Sequence, residues 1–333
     1  MRYHFRFMAR RKLFMAISAL ALLVTIGSLA TRGLNFGIDF TGGVVMDIST
    51  PAPVAEAAVR QVLARFGQGQ AEIQIVTPLG APQAQTAAAA RDFEFRFPPM
   101  SDTVRARILQ GLRQRFGKGV AEDSVNEVTP IIGRQLRTHA ILAVLVATAL
   151  MTAYLGIRFE FGEAGSYSGL KFALAAVIAL LHDITLTVGL FSVLHLQVNS
   201  PFVAAVLTVY GYSMNDTIIV FDRIRERMKL KRREPLAEAI DASINQVLNR
   251  TLTTVATVLL ALLAVYFLGG ASTRDLALAL LVGVCFGTYS SVFIASPVYL
   301  WLVGEGREAR GRPRPRGAGD GARLDPAAHP SGG

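Results

Sequence analysis

An ionisable side chain at the centre of a membrane-crossing helix costs about 2.5–3.5 kcal/mol on insertion scales, so each one found in an apolar run calls for a reason. Asp216 is the first. It lies in YGYSMNDTIIVFDRIRE, six residues before the charges that begin at Asp222, which puts it about 10 Å inside a helix rising 1.5 Å per residue. Tyr212 and Ser213, at i−4 and i−3, are expected on its helical face, with Asn215 and Thr217 beside it. Arg250 opens the next apolar run, NRTLTTVATVLLALL, and Thr253, Thr254 and Thr257 follow on its face at offsets of three, four and seven. The two runs are antiparallel neighbours, so Asp216 and Arg250 are expected at similar depth, paired across helices. A guanidinium stays charged at any physiological pH and can hold a carboxyl ionised or release it as the gap between them changes. That is the minimum equipment for coupling protonation to helix movement. The alternative is a static ion pair that only fixes packing; neighbouring amides and hydroxyls, which can order water along a proton path, favour exchange.

Asp183, in ALLHDITLTVG, falls near the middle of another apolar run with His182 beside it. Adjacent helical residues point about 100° apart and do not readily chelate one ion. A second relay station and a helix-packing hydrogen bond both remain open for Asp183. His139 and His195 sit near run ends, where an interfacial position is expected. The glycines of GLNFGIDFTGGVVMDIS, at 33, 37, 42 and 43, invite a phosphate-loop reading. It fails, because they precede a strand and no Lys-Ser/Thr follows; they are expected to shape the turn into that strand. No cofactor or metal is called for. An intramembrane aspartyl protease built from Asp183 and Asp216 lacks a GxGD motif.

The elements that position these residues follow from composition and hydropathy. The 333 residues are 52% hydrophobic and 17% charged, with a mean hydropathy of +0.40, which excludes an ordinary soluble protein. Apolar runs long enough to span a bilayer occupy about 13–30, 138–157, 170–194, 201–221, 251–268 and 276–303. The net charge of +10 sits beside these runs, not on one soluble face, so anionic lipid headgroups and not nucleic acid are the expected partner. The lone Cys285 forms no intrachain disulfide. After the basic Met1–Lys12, the first run is long for a signal peptide and lacks a small-residue cleavage site, so a retained anchor is expected. Arg10, Arg11 and Lys12, then Arg158 and Lys171, then the basic series from Arg223 to Arg233 mark the cytoplasmic side, with both termini there.

Residues 31–137 then form an extracytoplasmic domain. Strands are expected at Val44–Ser49, Glu72–Thr77, Asp92–Phe97 and Ser124–Thr129, with helices at Val54–Phe66 and Ser101–Phe116 and an Ala/Gln-rich hairpin loop between the second and third strands. The order β-α-β-β-α-β is that of a ferredoxin-like module. The fold class is therefore a six-helix membrane protein, residues 1–30 and 138–303 carrying the basic N-terminus and the helices, with an inserted ferredoxin-like α+β domain. Residues 304–333, rich in Gly, Pro and Arg, are expected to be a disordered cytoplasmic tail that solvates or touches lipid headgroups or the ribosome.

With these residues laid out, the chain resembles the SecF family, the smaller membrane subunits of the bacterial SecDF complex within the resistance-nodulation-division superfamily. FGIDFTGG, ALLHDITLTVG, YGYSMNDTIIVFDRIRE and LNRTLTT carry the resemblance, over about Arg2 to Val303. It implies a subunit of the bacterial inner membrane that pairs with SecD and uses the proton-motive force to assist export through SecYEG, after the ATPase SecA has acted, with YajC and YidC as further partners and unfolded polypeptide as cargo. It implies that Asp216 and Arg250 are proton-relay residues, with Thr254 a hydroxyl on the relay; Asp183, Asn215, Tyr212 and Thr253 stand as secondary candidates. It implies transport, not enzymatic turnover. The rivals are a noncatalytic scaffold subunit and a small-molecule or lipid exporter of the same superfamily.

Overall fold

The computed structural model describes residues 5–69, 71–76, 90–160, 168–231, 234–268 and 271–304. The Ala/Gln-rich hairpin loop, Arg232, Arg233 and all but the first residue of the tail lie outside the described residues. Six helical spans long and apolar enough to cross a membrane occur among them, at Met8–Thr31, Pro130–Arg158, Gly169–Val193, Ser200–Leu230, Leu236–Leu268 and Thr273–Val303. Their helices are α1 (Arg11–Thr31), α5 (Pro130–Glu160), α6 (Ser168–Val193), α7 (Ser200–Leu230), α8 (Leu236–Leu268) and the pair α9 (Ala271–Ser290) and α10 (Ser296–Val303). Several run well past the apolar stretches. Hydropathy marks only the segment that tolerates hydrocarbon, whereas the helix continues as long as its backbone bonds close, as α7 does through the charged Asp222–Leu230.

The helices sort into two kinds. About half of the most apolar stretch is buried in α6, α7 and the α9–α10 span (50–56%), against 6% in α5 and α8 and 11% in α1. Thus α6, α7 and α9 form the centre, packed around Phe172, Phe191, Tyr210, Phe221 and Tyr299, and the other three lie against it with apolar side chains outward. Between α9 and α10 the helix widens into a π-turn, Ser291–Ala295. Pro297 lies just beyond; it has no N–H and its ring crowds the carbonyl four residues back, which relaxes the preceding turn. Ser296 Oγ donates to the Ser291 carbonyl five residues back at 3.1 Å.

The connection from α1 to α5 contains β1 (Asn35–Phe36), α2 (Ile38–Thr41), β2 (Gly43–Val54), α3 (Glu56–Ala64), β3 (Glu72–Val76), β4 (Ala90–Phe97), α4 (Asp102–Phe116) and β5 (Ala121–Val128). After α2 the order is β-α-β-β-α-β, and the four long strands pair antiparallel in the order β3-β4-β2-β5. The alternation in DFEFRF puts Phe93, Phe95 and Phe97 in the core with Met46, Leu63 and Ile108, and Glu94 pairs with Arg96 on the other side. Ser101 stands at the N-cap position of α4 but makes no cap bond; its hydroxyl pairs instead with Thr103 at 2.9 Å.

The glycine motif does more than turn the chain. Gly42 has φ +83°, and a Cβ on Gly43 would lie 2.4 Å from the Phe97 carbonyl oxygen, so the start of β2 can run against β4 only without a side chain there. Just before it, β1 pairs in parallel with β6 (Gln197–Val198), and Asp39 Oδ2 accepts the Ser200 N–H at 2.8 Å. Asn199 caps α7 by accepting the Phe202 N–H at 3.0 Å and reaches Asp275 on α9 at 3.4 Å. The insert and the α6–α7 connection therefore share one end of the bundle. At the opposite end the N-terminal segment ties to α8: Met8 N–H donates to Asp241 Oδ1 at 2.8 Å, and the Asn245 side-chain amide accepts the Phe5 N–H at 3.0 Å and donates to the Phe5 carbonyl at 2.8 Å. Replacing the α7 cap, Asn199→Ala, should cost about 1 kcal/mol of stability, read as a lowered unfolding midpoint in mild detergent against Ser200→Ala, whose hydroxyl caps nothing.

Candidate proton-relay site

Asp216 sits halfway along α7, only 7% exposed. Thr288 of α9 brings its hydroxyl oxygen to 3.4 Å from Asp216 Oδ2, while the same hydroxyl also reaches the Val284 carbonyl of its own helix at 2.9 Å. Beside the carboxyl is a small cavity of about 40 Å³ lined by Tyr212, Asn215, Asp216, Thr254, Val255, Val258, Val284 and Thr288. A polar-edged space of that size accommodates water, since a single molecule needs only about 10–15 Å³ on this measure.

Arg250 does not meet the expectation of a direct pair. Its side chain is exposed, and among the described residues it makes no ion pair with Asp216. The two helices do lie side by side: Ser243 Oγ of α8 reaches the Arg223 carbonyl of α7 at 3.4 Å, and Thr254 lines the Asp216 cavity. The reason for the separation lies in packing. The first half of α8 is seated in the bundle through Leu236, Ala239, Ile240, Ser243 and Ile244, whereas beyond Thr251 none of its described residues is buried. Arg250 thus lies one turn from Thr254, on an outward face it shares with Thr253, Thr254 and Thr257. These threonine hydroxyls donate to carbonyls of their own helix, at 2.8, 3.0 and 2.8 Å, leaving their oxygens free to accept.

The expected shared face of Tyr212, Ser213 and Asp216 also divides. Tyr212 and Asn215 are exposed and border the cavity, while Ser213 turns inward, 1% exposed. Ser213 Oγ donates to Asp183 Oδ2 at 2.6 Å, as does Ser290 Oγ of α9, also at 2.6 Å. Asp183 is completely buried, and its Oδ1 lies 2.9 Å from His182 Nδ1. Neighbouring side chains that were expected to diverge are thus bent together. Asp183 and Asp216 keep separate hydrogen-bond partners, unlike a protease dyad sharing one proton. Thr217 Oγ1 meets Ser291 Oγ at 2.9 Å, adding a further link between α7 and the π-turn.

Thr288, Ser290 and Ser291 did not emerge from the sequence, because hydroxyls carry little hydropathy signal. The trace that could have shown them is GTYSS, a cluster of small and hydroxylated residues at 287–291 inside an otherwise apolar run.

Six spans among the described residues, packed around a buried acidic and hydroxylated seam, define a polytopic membrane protein. Comparison with known proteins narrows the class. The C-terminal model of the SecD/SecF protein-export membrane proteins matches residues 109–305, and the SecD/SecF GG-motif model matches 27–50. The chain belongs to the SecD/SecF family. It is 41% identical to the protein translocase subunit SecF of Magnetococcus marinus over 90% of this chain and 92% of that one. It is 36% identical to the SecF of Haemophilus influenzae over 87% of this chain and 83% of the other. A crystal structure of SecDF from Thermus thermophilus, described as a translocon-associated membrane protein, superposes with a TM-score of 0.71 at 36% identity, covering 89% of this chain. The match spans only 38% of that longer SecDF chain.

Proposed function

We propose that this chain is the SecF-type subunit of a proton-driven export complex, in which Asp216 gains and loses a proton and Arg250 supplies a fixed positive charge. The observation that carries this reading is a buried carboxyl beside a water-sized cavity that opens onto a polar stripe. Thr254 contributes a hydroxyl acceptor on the cavity wall, Tyr212 and Asn215 border its mouth, and Thr253 lies beside Thr254 on the exposed face of α8. Protonated and ionised Asp216 prefer different helix arrangements, so proton passage biases a conformational step.

The stripe also argues for a partner. Arg250, Thr253, Thr254, Asn215 and Tyr212 are exposed on helices of bilayer length, and hydrocarbon is a poor neighbour for them. A SecD subunit packed over this face would bury the stripe and bring Arg250 into a closed site. SecYEG, YajC and YidC are the wider partners, with anionic lipid at the basic helix ends and unfolded polypeptide as cargo; the work is transport, not covalent catalysis. The insert, residues 31–137, is read as a ferredoxin-like extracytoplasmic domain, supported by its β-α-β-β-α-β order and its β3-β4-β2-β5 sheet. Residues 1–30 and 138–303 form the inner-membrane part, and both termini, with the tail 304–333, lie in the cytoplasm, supported by the basic loops.

The deciding experiment is export into vesicles bearing the assembled complex under an imposed proton-motive force, comparing the native chain with Asp216→Asn. Loss of stimulation with the complex intact supports the relay; undiminished stimulation would leave a scaffold. In the same vesicles Arg250→Gln should reduce stimulation about tenfold or more, and Arg250→Lys should restore part of it, because a lysine keeps the charge but not the planar fork.

A further inference from the structure

Asp183 gathers three helices onto one carboxyl group. It projects from α6, its Oδ2 accepts hydroxyls from Ser213 of α7 and Ser290 of α9 at 2.6 Å each, and its Oδ1 meets His182 at 2.9 Å. Both contacts lie at the short end of the ordinary O–H···O range, so the two serines are held closely to one oxygen. Asp183 is 0% exposed, and Ser213 and Ser290 are 1% and 0% exposed, so water cannot replace either donor unless the bundle opens.

These anchors bracket the relay contact. Ser213 precedes Asp216 by three residues on α7, and Ser290 follows Thr288 by two on α9. The Thr288–Asp216 contact, 3.4 Å long, therefore lies on the same α7–α9 seam that Asp183 closes. We infer that Asp183 is a positioning residue for the relay: by holding Ser213 and Ser290 on one oxygen, it fixes the separation and register of α7 and α9 that let Thr288 reach Asp216. This rests on the proposed role of Asp216. It also assigns the moving part. With α6, α7 and α9 stapled together, the rearrangement that follows proton exchange falls on α8, whose second half is not buried in the bundle.

The test is a double-mutant cycle in the assembled complex, reading proton-driven export per complex for Ser290→Ala, Thr288→Val and the double variant. Each single change should slow export about three- to tenfold, the equivalent of one weakened hydrogen bond. The double variant should be no slower than the worse single, because both act through the same Asp216 geometry. A staple that merely stabilised the fold would give losses that multiply, and that outcome overturns the inference, as does native export by Ser290→Ala. Asp183→Asn provides the second arm. It keeps an oxygen for the two serines and should retain at least about a third of native export, while Asp183→Leu should lose about tenfold or more. If Asp183→Asn is as inactive as Asp216→Asn, Asp183 carries protons itself and the positioning role is wrong. An inactive Asp216→Asn beside a native-like Ser290→Ala removes only the staple; a native-like Asp216→Asn removes the relay reading itself.

Discussion

Vesicles carrying the Asp216→Asn chain in an intact complex should export no faster with a proton-motive force than without one. Asparagine keeps the size and planar shape of the side chain, and its amide oxygen can still accept from Thr288. What it loses is titration. One proton crossing 100 mV releases about 2.3 kcal/mol, enough to bias a two-state equilibrium about fiftyfold, and a site that cannot bind that proton forfeits the whole bias. The expected loss is therefore complete for the driven component, while the passive component is untouched. Complex assembly should be unchanged, because the substitution leaves no buried charge and adds no volume. Asp216→Glu should recover part of the driven rate by restoring a titratable group at a shifted position. Native driven export by the asparagine variant would show that no proton passes through this carboxyl.

Gly287→Val should be the most damaging packing change in the central seam. A Cβ at position 287 would stand 2.9 Å from the Ser213 Cβ and 3.0 Å from its Cα, so backbone must move to admit it. Gly283, one turn earlier, also lies in contact range, but its nearest neighbour is the Val209 Cγ2 at 2.2 Å, a side-chain atom. Glycines four apart that let two helices approach are a recurring device in membranes, where close packing replaces the hydrophobic drive. Overpacking of this kind costs about 1–3 kcal/mol. At 287 the displacement also pulls Ser213 from Asp183 and Thr288 from Asp216, so stability and driven export should fall together. Unfolding in mild detergent should begin at markedly lower denaturant for Gly287→Val than for Gly283→Ala. Equal stability of Gly287→Val and the native chain would mean that α7 and α9 do not pack this closely.

Much of the architecture is legible in the residues themselves. Six apolar runs announced six spans, because only a continuous stretch of about twenty residues satisfies both backbone and hydrocarbon. The period-two pattern of DFEFRF announced a half-buried strand, and Phe93, Phe95 and Phe97 are buried as that pattern requires. Asp216 stood out as a carboxyl inside an apolar run, and it is 7% exposed. Direction around a helix was harder to read. Tyr212 and Ser213 both lie within one turn of Asp216, yet one faces the cavity and the other faces Asp183, since the carboxyl sits on the boundary between two packed faces.

The sequence alone determined where ionisable residues interrupt the apolar runs, where the six spans lie and that strands and helices alternate after the first of them, because these depend on local composition and periodicity. Only the tertiary structure decided that Asp216 meets Thr288 while Arg250 faces outward, and that Asp183 ties α6, α7 and α9 together. Those outcomes depend on how closely particular helices approach and at what rotation, which small residues such as Gly287 permit and no single helix encodes.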